Sequence, residues 1–145
     1  VFSTCDGSQN AAPSPRMLID SSGNIRHYGS TDSVGGVTCT KRAAVTANGT
    51  LDLQIAGGTS YVGHLYVMSV YTASAVSRTS RIYFVSGRYG NSEVITQLQS
   101  DDGSSGGMAF TITSNSSGSG NFLRFTDTSG VAVTVSMHFV GAVGL

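Results

Sequence analysis

The sequence predicts an all-β protein: an antiparallel β-sandwich or jelly-roll-like head preceded by a short hairpin and linker. Three observations carry this. The last third alternates strand, Ser/Gly turn, strand, Asp/Ser/Gly turn and strand, and its final stretch has strict period-2 alternation. Charged residues are only 11% of the 145, against roughly a quarter in ordinary domains. Thr, Val and Ser are abundant and Gly contributes 19 residues, a composition of strands and tight turns and not of helices. No 20–50-residue repeat is present, and no segment of convincing length carries a 3.6-residue period.

Residues 1–16 are rich in Ser, Ala and Pro and lack periodicity, so they read as a linker. Met17–Asp20 and Asn24–Tyr28 are short apolar-bearing runs around Ser21-Ser22-Gly23, a small hairpin whose glycine can take a positive φ. Residues 31–36 form a loop, and the division expected is 1–36 as linker and stem-end hairpin, with 37–145 as the head. In the head, a Thr/Val/Ala strand runs from Val37 to Ala47 and turns at Asn48-Gly49, a strong hairpin dipeptide. Leu51, Leu53 and Ile55 then alternate with Asp52 and Gln54, and Gly57-Gly58 ends the strand.

Tyr61–Ala73 is apolar on both faces, Leu65, Val67 and Tyr71 opposing Tyr66, Met68 and Val70. Ser80–Ser86 repeats the pattern, with Ile82 and Phe84 opposite Tyr83 and Val85. Strands buried on both sides lie centrally in a sandwich or at a subunit contact. The turn GRYGN leads to a strand over 93–99, SDDGSSGG precedes Met108, Phe110 and Ile112, and SNSSGSG precedes Phe122–Thr126. The last strand, Val131–Val143, sets Val131, Val133, Val135, Met137 and Phe139 on one face and Ala132, Thr134, Ser136 and His138 on the other. About eight strands with turn signals every 8–12 residues or so make a sandwich or jelly roll. The core expected is Leu51, Leu53, Ile55, Leu65, Val67, Ile82, Phe84, Phe110, Ile112, Val133, Val135 and Phe139.

Charge and motifs narrow the function by exclusion. Net charge is zero and the pI is near 7, so the basic footprint that displaces counterions from phosphates is missing and no nucleic-acid partner is expected. No run reaches the ~18 apolar residues of a membrane helix. His27, His64 and His138 are far apart and form no HxH or HxxxH pair, so no metal site is expected. Cys5 and Cys39 allow one disulfide by arithmetic, but Cys39 lies in a Val/Thr strand and reads as a small buried residue. Of the few carboxylates, Asp6 and Asp102 precede a glycine, as turn residues do. There is no GxSxG, no Cys/His nucleophile pair and no phosphate-cradling glycine loop, so neither enzymatic activity nor a cofactor is expected.

The positive signal is tyrosine without tryptophan, among Ser/Asn/Gly-rich loops, which is also the chemistry of paratopes. Tyr89, flanked by Arg88 and Asn91, is the sharpest instance. With Asp101 and Asp102 these residues combine an aromatic face with hydrogen-bonding groups of both signs, and together they form the candidate ligand-binding set. The competing reading makes Tyr89 a strand-end packing residue and the aspartates solvated turns.

Several segments resemble a known family. MLIDSSGNIRHYGSTD is similar to the small hairpins that cap the stems of phage tail fibres and tailspikes. GTLDLQIAGG with the long apolar strand after it, SRIYFVSGRYG, and the ending FLRFTDTSGVAVTVSMHFVGAVGL resemble the carboxy-terminal domains of those proteins. The likeness spans most of residues 17–145 and is specific to a style of protein. It implies a homotrimeric β-sandwich head on the virion, acting outside the host cell, that assembles the fibre and binds a host surface polysaccharide or other receptor. It brings no family binding residues with it. The chain opens at Val1 without an initiator methionine, which suits a processed C-terminal piece of a longer chain. The alternatives are a monomeric carbohydrate-binding module attached to an enzyme and a viral capsid or spike jelly roll.

Overall fold

The computed structural model describes residues 2–4, 14–19, 21, 23, 25–28, 34–55, 60–73, 77–88, 91–101, 108–114 and 121–144. These residues form β-strands and turns: β1 (Phe2–Thr4), β2 (Ser14–Ile19), β3 (Ile25–Tyr28), β4 (Val34–Val45), β5 (Thr50–Ile55), β6 (Ser60–Tyr71), β7 (Arg78–Arg88), β8 (Asn91–Asp101), β9 (Phe110–Ser114), β10 (Asn121–Asp127) and β11 (Val133–Gly144). They build an eight-stranded sheet in the order β1-β2-β3-β4-β11-β6-β7-β8 and a three-stranded sheet in the order β5-β10-β9. All the pairings are antiparallel. The arrangement is sandwich-like, as the sequence predicts.

β11 organises the large sheet. It pairs with β4 from Val133↔Val45 to Gly144↔Val34 and with β6 from Val133↔Tyr71 to Gly144↔Ser60, without a break in either register. Its burial alternates along Val133–Phe139, with Val133, Val135, Met137 and Phe139 fully buried. Rows of inward side chains follow from the pairing. One row is Cys39–Phe139–Leu65–Tyr83, and another is Val37–Gly141–Gly63–Val85. The glycine pair has a reason: the Phe139 ring lies over it. A Cβ on Gly63 would stand 2.9 Å from that ring and closer still to the Val140 carbonyl oxygen, so a side chain there would drive β6 and β11 apart. Tyr61 meets the same ring edge-on, 6.2 Å between centroids.

The small sheet closes the core. Leu51, Leu53 and Ile55 of β5, Leu123 and Phe125 of β10 and Phe110 of β9 are buried against the inner face of the large sheet. Arg81 reaches across the gap: its guanidinium lies 4.3 Å from the centre of the Phe110 ring and donates to the Phe110 carbonyl at 2.9 Å.

Nine of the twelve expected core residues, all but Ile82, Phe84 and Ile112, are buried, and Ile112 packs partly buried against the core. Ile82 and Phe84 need correction. They lie on the outer face of β7, and Tyr83 and Val85 point inward instead. Both faces of β7 are apolar, so its polarity pattern is silent. The register with β6 decides, because Tyr83 stands opposite the buried Leu65 and Ile82 opposite the exposed Tyr66.

Asn48-Gly49 also acts otherwise than expected. Asn48 has φ 58° and Gly49 N donates to the Thr46 carbonyl, as a tight turn requires, but β4 and β5 belong to different sheets. The turn is a corner between the layers. Asp127, 2% exposed, pins it. Asn48 N donates to Asp127 Oδ2 at 2.8 Å, and Asp127 N donates to the Gly49 carbonyl at 2.9 Å. The other carboxylate oxygen accepts from Ser129 N and Oγ, at 3.1 and 2.6 Å, at the start of the corner from β10 to β11. One carboxylate therefore ties together two of the chain's passages between sheets.

At the N-terminus, Phe2–Thr4 and Ser14–Arg16 are strand where the sequence reads as linker; residues 5–13 lie outside the described set. β2 and β3 form the expected hairpin, with Gly23 at φ 79°, and β3 adds it to the large sheet through Ile25–Tyr28 against Gly35–Thr38. Cys39 is fully buried, as its strand context predicts, and Cys5 lies outside the described set.

Two predictions follow from this packing. Replacing Val135, fully buried near the start of the central strand, by Asp places an unpaired charge in the core; the protein should lose its cooperative thermal transition. Asp127→Asn leaves one oxygen where two serve separate donors and should cost about 1–3 kcal/mol of stability at neutral pH, read by chemical denaturation. Burial pushes the Asp127 carboxyl up, but the hydrogen bonds from the Ser129 side chain and from the Asn48, Ser129 and Gly130 backbones outweigh it, and the net direction is down. A depressed carboxyl stabilises the fold above the unfolded-state value near about 4 and loses that contribution as pH falls through its own lower value. The gap between the two proteins should therefore close in acid; a constant gap would refute the assignment.

Candidate binding faces

The two sheets turn different outer faces to their surroundings. On the small sheet the face is polar. Asp52, Gln54, Arg124, Thr126, Thr111 and Thr113 occupy it, with Phe122 half-buried among them. Arg124 and Asp52 are cross-strand neighbours and pair bidentately, Nε to Oδ1 and Nη2 to Oδ2, both at 2.7 Å.

The outer face of the large sheet is built otherwise. Its cross-strand rows read Gly36–Ala142–Val62–Ser86–Val94, then Thr38–Val140–His64–Phe84–Thr96, then Thr40–His138–Tyr66–Ile82–Gln99, then Arg42–Ser136–Met68–Ser80–Asp101. Val62, Tyr66, Met68, Val94 and Val140 are each 43–47% exposed, and Ile82 and Phe84 are half-buried between them. The aromatic groups are ordered by contact. His64 meets Phe84 edge-on at 6.1 Å, His138 tilts against Tyr66 at 6.2 Å, and the Thr40 hydroxyl lies 2.7 Å from His138 Nδ1. A shallow depression of about 270 Å³ is lined by Tyr66, Met68, Ser80, Ile82, Ser136 and His138, and a second of about 200 Å³ continues past Met68 and Ser136 toward Arg42 and Tyr71. These exposed apolar side chains of β6, β8 and β11 thus share one face of the large sheet.

The candidate residues from the loops are divided by the fold. Arg88 closes β7 and pairs with Asn91, which opens β8, so these two stand at one end of the sheet with Tyr89 between them in the chain. Asp101 ends β8 opposite Ser80. Ten residue steps of about 3.4 Å place it roughly 30 Å from Asn91. The candidate set is therefore two places, not one. Tyr89, Asp102 and the side chain of Asn91 lie outside the described residues; Arg88 and Asp101 are exposed. Loop composition does not reveal this division, because the length and direction of β8 decide which loops share an end.

Among the described residues no group of His, Cys, Asp or Glu could hold a metal ion, and no helix is long and apolar enough to cross a membrane. The outer face of the large sheet was half legible: the two-sided apolarity of β6 and β7 is visible in the sequence, but the contribution of Val140 and His138 from β11 appears only once β11 is set beside β6.

These features define a class: a sandwich-like all-β domain with one polar and one apolar outer sheet face. No family model matches the chain, and no curated protein does. Among solved structures, the tailspike protein of Acinetobacter phage vB_ApiP_P1 is similar to it at 22% identity and a TM-score of 0.48, over 72% of this chain and 21% of that one. The chain thus spans about a fifth of that protein's length.

Proposed function

We propose that this chain is the head domain of a phage tail-fibre or tailspike type of protein, that it assembles as a homotrimer through the outer face of its large sheet, and that the assembly serves attachment of a virion to a host surface glycan or other receptor. The observation that carries the reading is the asymmetry of the two outer faces. Val62, Tyr66, Met68, Val94 and Val140 stay exposed on one while the other is polar and ion-paired. Among the described residues no further layer covers the first face, and a second copy of the chain supplies one. The role is one of assembly and binding, without catalysis.

The receptor site in this reading lies at the β7–β8 turn, where Arg88 and Asn91 are paired at the sheet end and Tyr89 supplies a ring. Loops on a fixed scaffold tolerate variation without loss of the core. Asp101, at the far end of β8, belongs to a separate locus. A second reading has its own observation: the depression beside Tyr66 and Met68 offers an aromatic wall with Ser80, Ser136 and His138, as a sugar site in a monomeric carbohydrate-binding module would.

Light scattering separates the two. The protein should be three times 14.9 kDa at micromolar concentration, and insensitive to salt because apolar contacts are not screened. Tyr66→Glu should yield a folded monomer; a monomeric unaltered protein overturns the assembly reading. Tyr89→Ala should weaken attachment to host cells and leave thermal unfolding of the assembly unchanged. Intact attachment, or dissociation of the assembly, would make Tyr89 structural and move the receptor site elsewhere.

A further inference from the structure

All three histidines of the chain fall on the outer face of the large sheet. His27 stands opposite Gly36 on β3, His64 opposite Val140 and Phe84 on β6, and His138 opposite Thr40 and Tyr66 on β11. His64 and His138 are diagonal neighbours across β6 and β11, at the centre of the apolar rows. Resting on the reading of this face as the subunit contact, we infer that His64 and His138 make assembly pH-dependent: the contact closes when both imidazoles are neutral and opens when they are protonated.

The groups around them decide the sign. Facing His64 are Val140 and Ala142 from β11, Phe84, Ile82 and Ser86 from β7, and Val62 and Tyr66 on its own strand; its titratable neighbours are Tyr66 and His138. Facing His138 are Thr38, Thr40 and Arg42 from β4 and His64, Tyr66 and Met68 from β6; its charged neighbour is the Arg42 cation. Arg78 lies further along β7, opposite Val70. Among the described residues the carboxylate in register with this face is Asp101, on β8 at its edge. A proton on either imidazole therefore adds to a surface whose nearest fixed charge is already positive. Covering that surface with a second copy removes water from the new charge and brings the other subunits' histidines toward it. The assembled state binds fewer protons than the separated chains, so association strengthens as pH rises and is lost as pH falls through the range in which imidazole takes up its proton.

The fold itself is spared. The Thr40 hydroxyl at 2.7 Å from His138 Nδ1 can donate to a neutral nitrogen and accept from a protonated one, so that contact survives protonation. Both rings stand on the outer face, away from the core, and the acid response of assembly is separable from acid unfolding.

The test is sedimentation velocity on the full chain across a concentration series, at about pH 7.5 and about pH 5.0, with circular dichroism at each pH to confirm that the chain is folded. With two imidazoles taking part, association should be about 100-fold or more weaker at the lower pH than at the higher. H64Q/H138Q should stay assembled at both pH values. H64Q and H138Q singly should each keep part of the response, and they decide the matter if the double variant does not fold. H27Q, altered outside the central rows, should respond as the unaltered chain does. A chain that is trimeric with the same affinity at both pH values overturns this inference and leaves the assembly reading standing. So does a pH response that survives in H64Q/H138Q or vanishes in H27Q. A chain that is monomeric at pH 7.5 overturns the assembly reading itself.

Discussion

The unbroken pairing of β11 with β4 on one side and β6 on the other is the constraint on which the rest of this structure depends. Side chains alternate along a strand with a period of two, so a slip of one residue would exchange the faces of the whole central sheet. Val133, Val135, Met137 and Phe139 would then meet water, and Thr134, Ser136 and His138 would enter the core. Gly63 and Gly141 hold the register at one end, because only two facing glycines leave room for the Phe139 ring between the strands and the second layer. Once β11 is set, every row of the inner face follows, and so does every row of the outer one.

Polar side chains tie the second layer to the first. Asp127 holds the corner between β4 and β5 and the start of the corner between β10 and β11, so a single buried carboxylate controls two crossings. Arg81 spans the layers onto Phe110. Between these points the small sheet contributes aliphatic and aromatic residues that cover the middle of the large sheet. Its three strands lie on one side of the eight-stranded sheet, and on the opposite side Tyr66, Met68, Val62 and Val140 are exposed among the described residues. The polarity of the small sheet's own exterior, with its Arg124–Asp52 pair, shows that this composition can make a solvated face where one is needed.

Legibility followed the amount of local signal in each strand. β5 and the first part of β11 have one apolar and one polar face, and their inward residues can be named from alternation alone, whereas β10 carries Phe122 outward and Asn121 and Asp127 inward. β7 cannot be read so: Ile82, Tyr83, Phe84 and Val85 are all apolar, and only pairing with Leu65 and Tyr66 of β6 tells inside from outside. Asn48-Gly49 shows a related limit. The dipeptide specifies a tight turn through the positive φ of Asn48, yet whether the strands it joins then pair or separate into two layers depends on where Leu51, Leu53 and Ile55 find a surface to bury against. The described members of the candidate loop set stand apart for a third reason. Arg88 and Asn91 are cross-strand partners, whereas Asp101 stands at the other end of β8, opposite Ser80.

By itself the sequence determined the class of fold, the number and approximate limits of the main strands, the burial of Cys39, and the two-faced apolarity of β6 and β7. These are properties of local composition and of a two-residue period, which need no knowledge of neighbours. Tertiary structure alone decided which sheet each strand joins, which face of β7 is interior, that Asp127 links two corners, and that His64, Tyr66, His138 and Val140 share one exposed surface. Each of these depends on contacts between residues far apart in the chain, and pairing energies of that kind leave no mark on any short stretch of sequence.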